Sequence, residues 1–143
     1  MQLDVRGPRF AAVVTTLVLI AVLVTGNGWL ALAQTIVFAL GAANARLSPY
    51  GVFFRTLVRP RLGPPKEFEP AEPVRFAQAV GFAFLAVASV GFLSGATVIG
   101  LVATAAALVA AFLNAAFGLC LGCEAYLLIR RALSRSGAPV AER

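Results

Sequence analysis

The chain has 143 residues, 60% hydrophobic and only 13% charged, with twelve Lys and Arg against six Asp and Glu and a net charge of +6. A soluble domain carries about twice that charge density, and histidine is absent, which removes an imidazole base and a histidine-ligated haem. Every charge falls within 4–9, 46–75 or 124–143, and arginines flanking apolar runs are a membrane pattern, so nucleic acid is not an expected partner.

The uncharged stretches 10–45 and 76–123 are each long enough to cross a bilayer twice, since a spanning helix takes about 20 residues. Thr25-Gly26-Asn27-Gly28 and Ser94-Gly95 place a turn near the middle of each. The expected fold is therefore all-α: an integral membrane bundle of four transmembrane helices, arranged as two tandem hairpins with short interfacial helices. The first span is expected at 9–25. Arg6 and Arg9 before an apolar run, with Ala31-Leu32-Ala33 beyond it, resemble a secretory leader, but the apolar run continues to residue 45 and predicts a retained span. The second span is expected at 29–46.

From 49 to 59 the pattern predicts an amphipathic helix along the inner headgroups. Tyr50, Phe53, Phe54 and Leu57 would form its apolar sector, with Arg55 and Arg59 in water. Pro60, Pro64, Pro65, Pro70 and Pro73 then predict an extended linker over 60–73, in which Lys66-Glu67-Phe68-Glu69 is a solvated face. The third and fourth spans are expected at 74–93 and 96–116. Between Ala96 and Arg131 one straight helix would measure about 54 Å, well beyond the bilayer core, so a break near Phe117-Gly118 is expected. A helix over 119–133 would follow at the inner surface, burying Tyr126, Leu127 and Ile129, and 134–143 would be a flexible tail. The basic residues all lie on the side away from the two glycine turns. By the positive-inside bias that side, with both termini, is the cytoplasm.

The halves resemble one another. Arg9-Phe10-Ala11 returns as Arg75-Phe76-Ala77, 66 positions later, and Tyr50-Gly51 is echoed by Phe117-Gly118. A two-span unit duplicated in parallel orientation is the reading, with repeats over 9–58 and 74–133.

Cys120-Leu121-Gly122-Cys123 is the candidate site for chemistry. Thiols at i and i+3 of a helix share a face and lie within bonding reach. Near a helix start, free N–H groups would favour a thiolate at Cys120, while the neighbouring Glu124 opposes it. Three roles stand open: redox or sulfur-transfer chemistry, with Cys120 attacking and Cys123 resolving; small packing residues; or metal ligands, which would need further donors from another chain. No cofactor is expected. Gln34 and Asn114 are expected to hydrogen-bond between helices, and Ala103, Ala107, Ala111 and Ala115 at four-residue steps form a close-packing face for another helix, possible in a homo-oligomer.

A four-span bundle with a Cys pair resembles, in part, the quinone-coupled disulfide-forming membrane oxidoreductases. Those enzymes carry a further cysteine pair and serve the oxidising side of the membrane. A fuller resemblance runs through Val5-Arg6-Gly7-Pro8-Arg9-Phe10, Ser48-Pro49-Tyr50-Gly51, Arg59-Pro60-Arg61-Leu62-Gly63-Pro64-Pro65, Arg75-Phe76-Ala77 and Phe117-Gly118-Leu119-Cys120-Leu121-Gly122-Cys123-Glu124. These segments resemble a family of small bacterial integral membrane proteins catalogued only as a domain of unknown function, over about residues 3–131. The resemblance implies a bacterial inner-membrane protein of about four spans, with thioredoxin-like and sulfurtransferase proteins as genomic company and possible partners. It carries no site residue over. The sequence thus supports a thiol-redox or sulfur-relay accessory at the cytoplasmic membrane face, with a non-catalytic scaffold and a small transporter as alternatives.

Overall fold

A computed structural model describes residues 2–64 and 67–135. Lys66 and the tail beyond residue 135, for which a solvated face and flexibility were expected, lie outside the described residues. The order is β1 (Gln2–Asp4), α1 (Arg6–Thr25), α2 (Gly28–Ala43), a 3-10 turn (Ala45–Leu47), α3 (Pro49–Phe53), a π turn (Phe54–Val58), α4 (Arg59–Leu62), β2 (Phe68–Pro70), α5 (Ala71–Ser94), α6 (Thr97–Phe117) and α7 (Leu121–Arg135). Three of the helices, α1, α5 and α6, are long and apolar enough to cross a membrane, at 20, 24 and 21 residues. The fourth apolar helix, α2, has 16.

Local chemistry sets these limits. α1 ends at Gly26, and Asn27 caps α2 by accepting from the Trp29 and Leu30 N–H groups at 3.0 and 3.3 Å. Ser48 caps α3 and Pro49 opens it. The helical path then loosens into the π turn just ahead of Pro60, whose ring nitrogen cannot donate to the preceding turn. The stretch 60–73 is more structured than an extended linker. Helix runs on to Leu62, β2 pairs antiparallel with β1 (Leu3 opposite Glu69), and α5 begins at Ala71. Two three-residue strands are too short to leave an alternating pattern in the sequence.

The packing interleaves the two hairpins. α1 packs mainly on α6 and α2 on α5, while α5 and α6 pack on one another; α1 and α2, although joined by a tight turn, touch sparingly. The core gathers Leu19 and Val22 from α1, Ala31 from α2, Leu85 and Ala88 from α5, and Ala103 and Ala107 from α6. The alanine face expected to receive another helix packs within the chain at Ala103 and Ala107, because alanine lets helix backbones approach closely, while Ala111 and Ala115 are half-buried. Thr35 and Ser89 join α2 to α5 through their hydroxyls, 3.0 Å apart.

The repeated Arg-Phe-Ala motif makes matching contacts. Arg9 at the start of α1 donates to the Ala115 carbonyl near the end of α6 at 3.2 Å. Arg75 at the start of α5 donates to the Ala42 and Ala43 carbonyls at the end of α2, both at 3.0 Å. Phe10 lies against Phe53 and Phe54, and Phe76 against Tyr126, with every centroid separation 5.7 Å. Outward, Val13, Leu17, Ile20 and Val24 form an exposed apolar stripe on α1, and Val98 and Val102 do the same on α6. Such a surface is unfavourable in water and suits a hydrocarbon solvent.

Two of the expected apolar sectors are only partly buried. In the α3 region Phe54 is buried and Tyr50 half-buried, but Phe53 and Leu57 are exposed. On α7, Tyr126 is half-buried, whereas Leu127 and Ile129 are exposed, because Gly122 and Tyr126 supply the contacts with α5.

Tyr50 ties the surface segment to the bundle: its hydroxyl donates to Gln34 Oε1 at 2.6 Å. Burial pushes the phenol above its usual value, which keeps it a donor. Gln34 is fully buried and its Nε2 already has no partner among the described residues. Tyr50→Phe is expected to cost about 2 kcal/mol by stranding the amide oxygen as well. Adding Gln34→Leu should restore most of that loss in a thermal or denaturant unfolding measurement, since it removes both stranded groups.

Asp4 anchors the strand pair. The Arg6 guanidinium donates to both carboxylate oxygens, at 2.8 Å to Oδ2 and 3.2 Å to Oδ1, and holds the Asp4 carboxyl below its ordinary value against the opposing effect of burial. Stability from a depressed carboxyl is present above the unfolded value and lost as pH falls through the folded one. Amides of Gln2–Asp4, Phe68 and Glu69 should therefore exchange faster once pH drops below about 4. Asp4→Asn should make that exchange fast and independent of pH-linked protonation, as read by hydrogen exchange corrected for intrinsic rates.

Candidate functional site: the Cys120–Cys123 pair and its cavity

The site is built where α6 stops. Gly118 takes a left-handed conformation (φ 70°), and its N–H closes the last turn of α6 on the Asn114 carbonyl at 3.0 Å. A side chain with a Cβ is strained at that angle, so glycine lets the chain turn and start α7 three residues later. Cys120 immediately precedes α7 and occupies its N-cap position. The Cys123 N–H points back at the Cys120 sulfur, N to Sγ 3.2 Å, and the Glu124 N–H bonds the Cys120 carbonyl at 3.0 Å. In the first half, Ser48 Oγ accepts from the Gly51 N–H in the same i to i+3 arrangement.

The two sulfurs are bonded to one another, with Cα atoms 5.2 Å apart, inside the range for a disulfide across one helical turn. Both cysteines are half-buried. Gly122 between them lies directly on α5: a Cβ there would be 2.6 Å from the Cα and Cβ of Ala77. Tyr126, one turn on, continues the contact against Phe76. Arg130 stands 5.7 Å over the Tyr126 ring and donates to its hydroxyl at 3.3 Å.

Cys120 and Cys123 line a cavity of about 490 Å³ among α1, α5, α6 and α7, with Phe38 of α2. Its walls are mostly small or apolar, including Ala77, Gly81, Ala107 and Ala111, with Thr15, Gln78, Asn114 and Arg9 as polar members. Asn114, expected to bond between helices, instead faces this space. The buried Oε1 of Gln78 has no donor among the described residues. A polar cavity-lining role for Gln78 was not foreseen, since a lone glutamine in an apolar helix has no spacing signal. Among the described residues no cluster of three or more His, Cys, Asp or Glu side chains surrounds the thiols.

Chemically, the arrangement is a bonded sulfur pair just past the end of a long apolar helix, with a backbone donor directed at one of its two sulfurs. Neither the curated proteins nor the solved structures compared with the chain contain a match. One family does match, over residues 3–131, and the chain belongs to it: the family described as Domain of unknown function (DUF4395).

Proposed function

We propose that this is a bacterial inner-membrane protein that works as a thiol-redox or sulfur-relay accessory at the cytoplasmic face through Cys120 and Cys123. The observation that carries the reading is the bonded Cys pair across the first turn of α7, on the wall of a cavity. α2 serves as a fourth span, lengthened by the adjoining 3-10 turn, and the duplicated hairpins leave both termini in the cytoplasm. In that reducing compartment a protein disulfide is typically transient, catalytic or redox-sensing, which favours turnover over a structural staple.

The partner is a thioredoxin-like protein or a sulfurtransferase. With a reduced thioredoxin-like partner, its thiolate attacks the Cys120 sulfur, the S–S bond breaks, and Cys123 leaves as a thiolate. The partner's second thiol then attacks the mixed disulfide. The partner departs oxidised and this pair reduced, with two electrons and two protons transferred. A membrane scaffold is the competing class, and the inward-facing Ala103 and Ala107 weigh against an alanine-mediated form of it.

Redox titration of the purified full chain in graded thiol buffers decides between them. A reversible midpoint above about −300 mV supports exchange, since structural disulfides generally sit below that level. A pair that stays oxidised throughout, or thiols that never re-form the bond, would leave the scaffold reading in its place.

A further inference from the structure

A second cavity, of about 630 Å³, opens beneath the N-terminal strand and the α3 segment. Arg46, Arg55 and Arg59 contribute to its lining, and its one carboxylate, Asp4, is occupied by Arg6 at 2.8 Å, with Arg59 at 3.9 Å. Arg46 and Arg55 make no ion pair with any described residue; Arg55 donates to the Arg46 backbone carbonyl at 3.0 Å. Positive-inside bias accounts for arginines at this level of the membrane. It does not account for their convergence around one cavity. Arginine's planar fork suits a phosphate oxyanion.

This basic cavity adjoins the apolar one beside the cysteines. Pro8, Ala11, Val74 and Gln78 line both. Gln78 thus lies at the junction of the two. An apolar cavity of this size with few polar partners is poor housing for ordered water. In a bilayer its natural filling is hydrocarbon. Anionic recognition and an apolar extension occur in that order along one connected space.

We infer that these joined cavities bind one anionic phospholipid. Its phosphate lies among Arg46, Arg55 and Arg59, and an acyl chain extends toward Cys120 and Cys123. The bound chain covers the inner side of the thiol pair. This assignment does not rest on the thiols' redox activity.

The test is native mass spectrometry of the full-length protein in detergent, with phosphatidylglycerol or phosphatidylcholine added, alongside alkylation of the reduced cysteines. The expected result is preferential retention of phosphatidylglycerol, with slower alkylation when it is bound. Arg46→Gln with Arg55→Gln should lower retention about tenfold, and Ala110→Leu, which fills the apolar cavity, should lower it too. Circular dichroism checks that each variant keeps its helices, and the comparison of two lipids on the wild-type chain stands without any variant. Equal retention of the two lipids overturns the inference. So does inorganic phosphate protecting as well as phosphatidylglycerol while Ala110→Leu has no effect, because the site would then recognise a free anion and no chain.

Discussion

With Cys123 replaced by Ser, the remaining thiol of Cys120 is expected to react with an alkylating reagent at neutral pH about tenfold faster than the thiol of Cys123 in the Cys120→Ser protein. The asymmetry comes from the backbone. The N–H of residue 123 points at the Cys120 sulfur, 3.2 Å away, and survives the Cys123→Ser substitution. Negative charge on that sulfur is favoured further by its place before α7, where the helix dipole is positive. Cys123 lies within the helix beside Glu124 and has no described donor to its sulfur. The same asymmetry gives a functional readout: offered an oxidised thioredoxin-like partner, the Cys123→Ser protein should accumulate a mixed disulfide, the Cys120 thiolate attacking the partner's disulfide and displacing one partner thiolate, and the Cys120→Ser protein should not. Equal alkylation rates in the two single-thiol proteins would remove the assignment of Cys120 as the exchanging sulfur.

Gly122→Val should have the largest effect on the structure around the pair. The substitution places carbon where Ala77 Cα and Cβ would lie 2.6 Å away, and a helix backbone cannot swing aside like the tip of a flexible side chain. Overpacking of this kind costs about 3 kcal/mol at the upper end of its usual range. The least costly relief is for α7 to lift from α5, separating Tyr126 from Phe76. The variant should therefore show a lowered Tm in detergent and reduced thiols that alkylate several-fold faster, while the disulfide still forms, because both cysteines remain on one helical turn. Unchanged stability and alkylation would mean that α7 does not depend on the Ala77 contact for its position.

The helical character and membrane-type surface were legible because they depend on long uncharged runs, and hydropathy averages over many residues. The apolar helices α1, α5 and α6 follow directly from that signal. The bend at Gly118 was legible for a different reason: a helix continuing to Arg131 would overshoot the bilayer, and glycine was available where the turn had to occur. The β1–β2 pair was not legible, since three residues per strand carry no period and the partners are separated by the whole first hairpin. Nor was the direction of the alanine stripe, because a small-residue face suits a neighbouring helix in the same chain as well as one in another copy. The pairing of Cys120 with Cys123 could be anticipated from spacing. Their cavity could not, because it takes walls from five helices, most of them distant in sequence.

The interleaved packing has a consequence for how the protein is made. Synthesis delivers α1 and α2 first, yet each finds its principal neighbour in a helix not yet translated. Until α5 arrives, the Thr35 hydroxyl lacks Ser89, and the last carbonyls of α2 lack Arg75. The α1–α2 pair is therefore a poor folding unit by itself, and consolidation awaits the second half. Chains severed between Gly63 and Glu67 should accordingly accumulate only when both fragments are produced together, each acting as the assembly template for the other.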